Sequence, residues 1–236
     1  MIKIIKSLPR LIKQRLRPQR YFSLNELDRK LEKYVDFDNG YYVELGANDG
    51  ISQSNSLYFE RHRGWRGVLV EPVLHNFMAC RRNRSEKNSI YCAACVSFDY
   101  HEDFVRIAYS NLMTTPLSLV SDIANPREHA VLGRQFLRQE EEVVEFGAIA
   151  KPLNSLLLEA NAPAIIDFLS LDVEGAELEV LQGIDHQVFC FKYILVECRD
   201  LSRLRLYLEE KGYSLIDKFS EHDYLFAAQE KSLDKE

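Results

Sequence analysis

The chain has 236 residues, of which 46% are hydrophobic and 28% charged, proportions that exclude a disordered, collagen-like or disulfide-scaffold protein. Its formal charge of −6 is uneven: the first twenty residues hold seven Lys or Arg and no acid, leaving 23 basic against 36 acidic side chains, a net −13, in the other 216. An acidic body repels phosphate backbones, so no nucleic acid is expected as a partner.

The length suits one α/β domain with additions. The longest apolar run, residues 90–96, is too short to span a bilayer. Five cysteines, an odd number, fit a reducing compartment, so a cytoplasmic location is expected. The domain plan is a basic arm over residues 1–20 and a single domain over 21–236. In the arm, Leu8, Leu11, Ile12 and Leu16 fall at helical spacing, with Pro9 near a start and Pro18 near a stop. Such an arm either makes peripheral contact with an anionic membrane, on its inner face, or packs against protein.

Ser23 and Glu26 form a capping-box signature, followed by a helical stripe of Leu24, Leu27, Leu31 and Val35. After the Asn39-Gly40 turn, residues 41–45 read as a strand that runs into Gly46-Ala47-Asn48-Asp49-Gly50. A helix is predicted to follow through Arg63, with Gly64 as its C′ residue. Residues 67–71 form a second strand ended by Pro72, 74–83 a helix, and 90–97 a third strand. Regular pattern is poorest over 99–150, which reads as a lid or acceptor-wall insertion, with Asn111, Thr114 and Thr115 able to bond hydroxyls. Beyond it come a helix near 153–160, a strand at 165–171, a helix ending at Gly183, a strand at 193–196, a helix from Leu201 to Gly212 and a closing strand pair. Strands alternating with helices before a terminal antiparallel hairpin predict a mostly parallel sheet covered on both faces.

Ligands of such a sheet sit at the carboxyl ends of its strands. Glu44 and Gly46 end the first strand, Glu71 the second, Asp172 and Glu174 the fourth, and Glu197 the fifth. Glu71 stands 25 positions after Gly46, a spacing that suits an acid receiving a ribose diol. Acids on either side of the first glycine turn, Glu44 and Asp49, are hostile to a pyrophosphate but complement a ligand with ammonium and sulfonium charges. That points to a methyl donor rather than NAD.

Three segments, Val43 through Gly50, Gly64 through Pro72 and Asp167 through Glu177, together with the final Asp223-Tyr224-Leu225-Phe226, closely resemble the FkbM family of S-adenosylmethionine-dependent methyltransferases. The resemblance runs from about residue 40 to 228 and does not reach the arm or the details of 99–150. It implies a Rossmann-like class I methyltransferase fold with a seven-stranded, mostly parallel sheet and a C-terminal antiparallel hairpin. It also implies O-methylation, often of a sugar or natural-product hydroxyl. By position, Glu44, Gly46, Ala47, Asn48, Asp49 and Gly50 would surround the methionine end of S-adenosyl-L-methionine. Glu71 and Pro72 would lie at the ribose, and Ala94 and Cys95 beside the adenine.

An alcohol is hardly ionised at neutral pH, so a base or a metal has work to do. Asp172, Glu174 and Glu197 are the candidates for a general base, with His222 at the last turn as another and His75 as a weaker one. Asp172 and Glu197 are also candidate oxygen ligands for Mg2+. Cys92 and Cys95 fall three apart in a strand and make no zinc pair. The expected partner is a sugar, glycan or small-molecule hydroxyl acceptor. Two rival readings are a donor-binding but catalytically silent module that recruits a partner or membrane, and an NAD-dependent oxidoreductase.

Overall fold

The computed structural model describes residues 20–229, so the expected arm lies outside the described residues apart from Arg20. In chain order the elements are α1 (Leu27–Leu31), β1 (Tyr41–Leu45), α2 (Leu57–Arg63), β2 (Arg66–Val70), α3 (Leu74–Asn83), β3 (Ser89–Tyr91), β4 (Ala94–Val96), β5 (Phe104–Tyr109) and β6 (Thr115–Pro116). They continue with α4 (Pro126–Leu132), β7 (Val144–Pro152), α5 (Leu153–Glu159), β8 (Ile165–Leu171), α6 (Glu177–Leu181), β9 (Cys190–Glu197), α7 (Leu201–Glu210), β10 (Tyr213–Lys218) and β11 (Asp223–Ala228).

Seven strands form the main sheet in the order β10-β11-β9-β8-β1-β2-β3, parallel from β9 through β3, with β11 and β10 antiparallel. The expected seven-stranded sheet and closing hairpin are therefore present. Its central strands β1, β2, β8 and β9 are largely buried on both faces, which is why they read as near-continuous apolar runs. Val43, Leu45, Val68, Val70 and Leu169 pack on the α5–α7 side. Tyr42, Leu69 and Phe168 point the other way, against Leu31, Phe59 and Trp65. Successive residues of one strand thus serve opposite cores. The chain order reverses between β1 and β8, and their carboxyl ends open the crevice where such sheets bind ligands.

Four predicted details differ. The strand expected over 90–97 is two strands: β3 ends in the main sheet, and after Cys92 and Ala93 the chain enters a second sheet, ordered β4-β7-β5-β6. Both pieces are apolar, so composition does not mark the break. The irregular 99–150 stretch supplies β5, β6, α4 and most of β7, mainly antiparallel to one another. The helix after Gly50 begins only at Leu57, because Ser54, Asn55 and Ser56 are occupied in bonding Glu44. Finally, the capping pair is Ser23 with Asp28, not Glu26. Ser23 Oγ accepts from Asp28 N at 2.7 Å and donates to Asp28 Oδ1 at 2.7 Å, while Asn25 and Glu26 adopt left-handed conformations.

The α2–α3 side is fastened by Arg84, which follows α3 and whose side chain is fully buried. Its guanidinium donates to Glu60 Oε2 at 2.8 Å, Tyr42 Oη at 2.7 Å and Glu44 Oε2 at 3.2 Å. Removing one partner of a buried ionic network strands the other charges. Arg84→Met should therefore lower unfolding stability by about 3–5 kcal/mol, read from urea denaturation; a midpoint within experimental error of the parent's would contradict this role.

Candidate functional site

Two cavities meet at the carboxyl end of the sheet. The first, about 940 Å³ with its mouth included, lies between the β1 turn, Glu71-Pro72, Ala94-Cys95 and the 107–119 part of the insertion. The second is a broader, more open basin between residues 24–30, the 219–223 hairpin turn and the 112–136 region. Asp172 and Glu174 border both.

The first cavity is shaped by the turn after β1. Gly46 has φ +76°, and a Cβ there would lie 2.0 Å from the backbone oxygen of Asp172, so only glycine lets the ends of β1 and β8 meet this closely. Asn48, also left-handed, turns its amide onto Glu71 Oε2 at 2.8 Å, and Val73 N donates to Glu71 Oε1 at 2.9 Å. Glu71 is thereby fixed on the cavity wall. Burial pushes its carboxyl up to about 7, although the two amides pull it back. Pro72, Ala94 and Cys95 complete this wall. Burial pushes the Cys95 thiol up to about 12, so it acts as a small apolar group.

Four expected residues serve elsewhere. Glu44 borders the cavity, but its carboxylate is engaged by Ser54, Ser56, Asn55 N and Arg84, so it is not a free counter-charge for a ligand. Asp49 caps the following loop, accepting from Ile51 N at 2.9 Å and Ser52 N at 2.7 Å. Gly50 packs on Arg84, and Ala47 is in the α2-side core; with Asp49, neither lines the first cavity. Of the insertion's hydroxyl-bonding candidates, Asn111 and Thr114 line the first cavity, Asn111 accepting from Asn48 Nδ2 at 3.2 Å. Thr115 is buried, donating to Met113 O.

At the junction, Asp172, Glu174 and Glu197 converge, with carboxylate oxygens within 4.8 Å of one another. Asp172 is bare toward the cleft but walled by protein on its other sides. That enclosure, then the charges of Glu197 and Glu174, raise its pKa well above the usual carboxylate range, and it is hydrogen-bonded to Glu197. Glu174 has φ +55° and receives His129 Nε2 at 2.7 Å on Oε2. Arg199 Nη2 stands 3.6 Å from Glu174 and 3.4 Å from Glu197. His222 borders the second basin, but its ring lies toward Glu221 at 3.9 Å and its backbone oxygen holds Cys198 N. His75 bonds Tyr109 Oη at 3.1 Å, away from the cluster. Sequence reasoning missed His129 and Arg199: one lies in the irregular insertion, the other just past β9, and no spacing rule ties either to Glu174.

The parallel sheet with its reversed strand order, the glycine turn and the acid fixed at the end of β2 define a class I S-adenosylmethionine-dependent methyltransferase. The chain belongs to the FkbM methyltransferases: the Methyltransferase FkbM domain matches residues 44–215. It is 23% identical over 186 residues to Methyltransferase 1 of Beauveria bassiana (strain ARSEF 2860), spanning 75% of this chain and 74% of that one. Among solved structures it is similar to the human methyltransferase 10 domain containing protein (13% identity, TM-score 0.45, 86% of this chain and 81% of that one). A precorrin-6y C5,15-methyltransferase from Geobacter metallireducens GS-15 gives 12% identity and a TM-score of 0.43, over 90% and 93% of the two chains. The chain spans 66% of M. capricolum TrmK, solved with S-adenosyl-homocysteine, over 84% of its own length (10% identity, TM-score 0.41).

The expectation that Glu71 meets the donor's ribose implies donor binding that is sensitive to pH. A carboxylate accepts hydrogen bonds from a diol and its acid form does not accept them equally, so on that expectation S-adenosylmethionine affinity should rise as pH increases through about 7. Stability moves oppositely: the folded pKa exceeds the ordinary 4.5, so Glu71 costs the fold increasingly between those values and no further above about 7. Calorimetry from pH 6 to 8 should show up to roughly tenfold tighter binding in the parent. Glu71→Gln should bind more weakly, by about 1.5–3 kcal/mol, with a flat profile. Equal pH dependence in both proteins would remove Glu71 from the ribose.

Proposed function

We propose that this methyltransferase transfers the methyl of S-adenosylmethionine to a hydroxyl of a sugar, glycan or related natural product. The observation that carries this reading is the meeting of two cavities at a carboxylate cluster. The donor occupies the first cavity, with its ribose at Glu71 and its sulfonium toward Asp172 and Glu174. The acceptor enters through the open second basin, whose far walls are the insertion and the 219–223 turn. An alcohol must lose its proton as it attacks, and the junction supplies oxygens to receive it. Positioned proton transfer contributes about 10²–10⁴-fold, with in-line alignment of the two reactants supplying the rest.

The three carboxylates have the hard-oxygen chemistry that Mg2+ prefers. Arg199, however, already stands as a cation against two of them, and His129 occupies Glu174. A divalent ion would have to share that space with the guanidinium, so the residues do not fit it and no step is assigned to a metal. Proton acceptance by the carboxylates then carries the reaction. Asp172 borders both cavities, as Glu174 does, and shares a hydrogen bond with Glu197, which keeps the cluster's total charge low enough to coexist in a confined space.

Asp172→Asn retains the shape but removes one ionisable member of the proton-accepting cluster, whose charge and hydrogen bonding act on the other two. It should cut turnover on hydroxyl acceptors by roughly 10²-fold, while donor affinity falls far less because Glu71 is untouched. The same assays should be indifferent to a chelator. Near-normal turnover of Asp172→Asn, or activity lost with chelator and restored by magnesium, would overturn this assignment.

A further inference from the structure

Glu174 is the least explained member of the cluster. It is a non-glycine residue held at φ +55°, a conformation that persists only where the surroundings impose it. Its backbone is fixed from behind: Glu177 Oε1 accepts from Val173 N and from Gly175 N, both at 3.1 Å. Its side chain is fixed from in front. His129 donates to Oε2 at 2.7 Å, and Arg199 Nη2 approaches the same oxygen at 3.6 Å. Both partners therefore lie on Oε2, which leaves Oε1 to a ligand, and Glu174 is one of two carboxylates that border both cavities. Asp172, the other, already shares a hydrogen bond with Glu197.

His129 reaches this position from the insertion, not from the sheet. It sits on α4, whose start is capped by Asn125 and whose Ala130 is buried. Gly133, directly after α4, packs so closely on Ser110 that a Cβ would lie 2.4 Å from its Oγ. The insertion grips the same loop a second time, where Asp122 N donates to Gly175 O at 3.0 Å.

We propose that His129 is the positioning residue for Glu174, holding its carboxylate so that Oε1 receives the proton of the acceptor hydroxyl. The inference rests on the hydroxyl-transfer reading above. As the acceptor oxygen bonds the methyl carbon, the C–S bond breaks and its electron pair returns to sulfur. The hydroxyl proton passes to Glu174, so sulfonium and carboxylate end as neutral thioether and neutral acid. The histidine lines the acceptor basin but acts through Glu174 and does not itself take the proton.

The test pairs His129→Ala with His129→Gln, whose amide places a neutral donor at similar reach. Turnover of His129→Ala should fall by roughly 10–10²-fold, with acceptor KM and S-adenosylmethionine affinity changed less than about threefold. His129→Gln should recover most of the lost kcat. A purely structural role would instead lower melting temperature and donor affinity together, without selective recovery by Gln. Normal kcat in His129→Ala, or a folded, donor-binding His129→Gln as slow as His129→Ala, would overturn the proposal. Nitrogen-15 NMR of the imidazoles reads the contact without any acceptor. The His129 Nε2–H signal should carry the downfield shift of a charge-assisted hydrogen bond and lose it in Glu174→Gln. Absence of that shift overturns the His129–Glu174 contact, whereas its presence in a protein that methylates no hydroxyl acceptor overturns the function reading alone.

Discussion

A buried cation behind the glycine turn underlies the geometry of the first cavity. Arg84 is buried with Glu44, Glu60 and Tyr42, joining β1, the 51–56 loop, α2 and the end of α3. Burial opposes its charge, but Tyr42, Glu44 and Glu60 outweigh that effect and raise its pKa. The network also fixes the residues on either side of the glycine turn. Glu44 holds the 54–56 loop, and Gly50 O accepts from Arg84 Nη1 at 3.2 Å. Between these two anchors, Gly46 meets the Asp172 backbone and Asn48 presents its amide to Glu71. The turn is placed by a charge network behind it.

This arrangement revises the electrostatic reason for a cationic ligand. Sequence reasoning assigned the negative potential to Glu44 and Asp49, the acids flanking the turn. In the folded chain both are turned to structural bonds, one with Arg84 and two serines, the other with the backbone of residues 51 and 52. The negative edge of the cavity comes from the end of β8, where Glu174 lies beside the acid group of Asp172. The proposed ligand charge is unchanged, but the groups that would complement it stand about 125 positions further along the chain.

What was legible in the sequence follows the distance over which its signals act. Strand–turn–helix segments announce themselves locally, so β1, β2, β8, β9 and the terminal hairpin could be read from alternation, glycines and apolar runs. The reversal of strand order then placed Glu71, Asp172, Glu174 and Glu197 at one edge. The second sheet was not legible, because β4 pairs with β7 some fifty residues later and its apolar residues continue those of β3 without a turn signal. His129 was hidden for the same reason: only the packing of α4 and Gly133 against the 110–113 turn brings it to Glu174. Ser23 illustrates a smaller version. The capping signature was real, but left-handed Asn25 and Glu26 advance the chain so that Asp28, not Glu26, returns the bond.

Dividing the ligand contacts between two ends of the cavity has a consequence for turnover. Under the proposed reaction, the sulfonium loses its positive charge and a junction carboxylate gains a proton in the same step. The attraction that favoured the donor at the β8 end therefore vanishes on both sides at once, without any movement of the protein. At the β2 end the same proposal has nothing change, since Glu71 would face the same ribose before and after transfer. The junction thus binds the charged donor more strongly than its neutral product, while Glu71 sets a common baseline for both. Such a division loosens the product where the acceptor must next be replaced, and it assigns to Glu71 the uniform part of binding and to the Asp172–Glu174 edge the part that responds to chemistry.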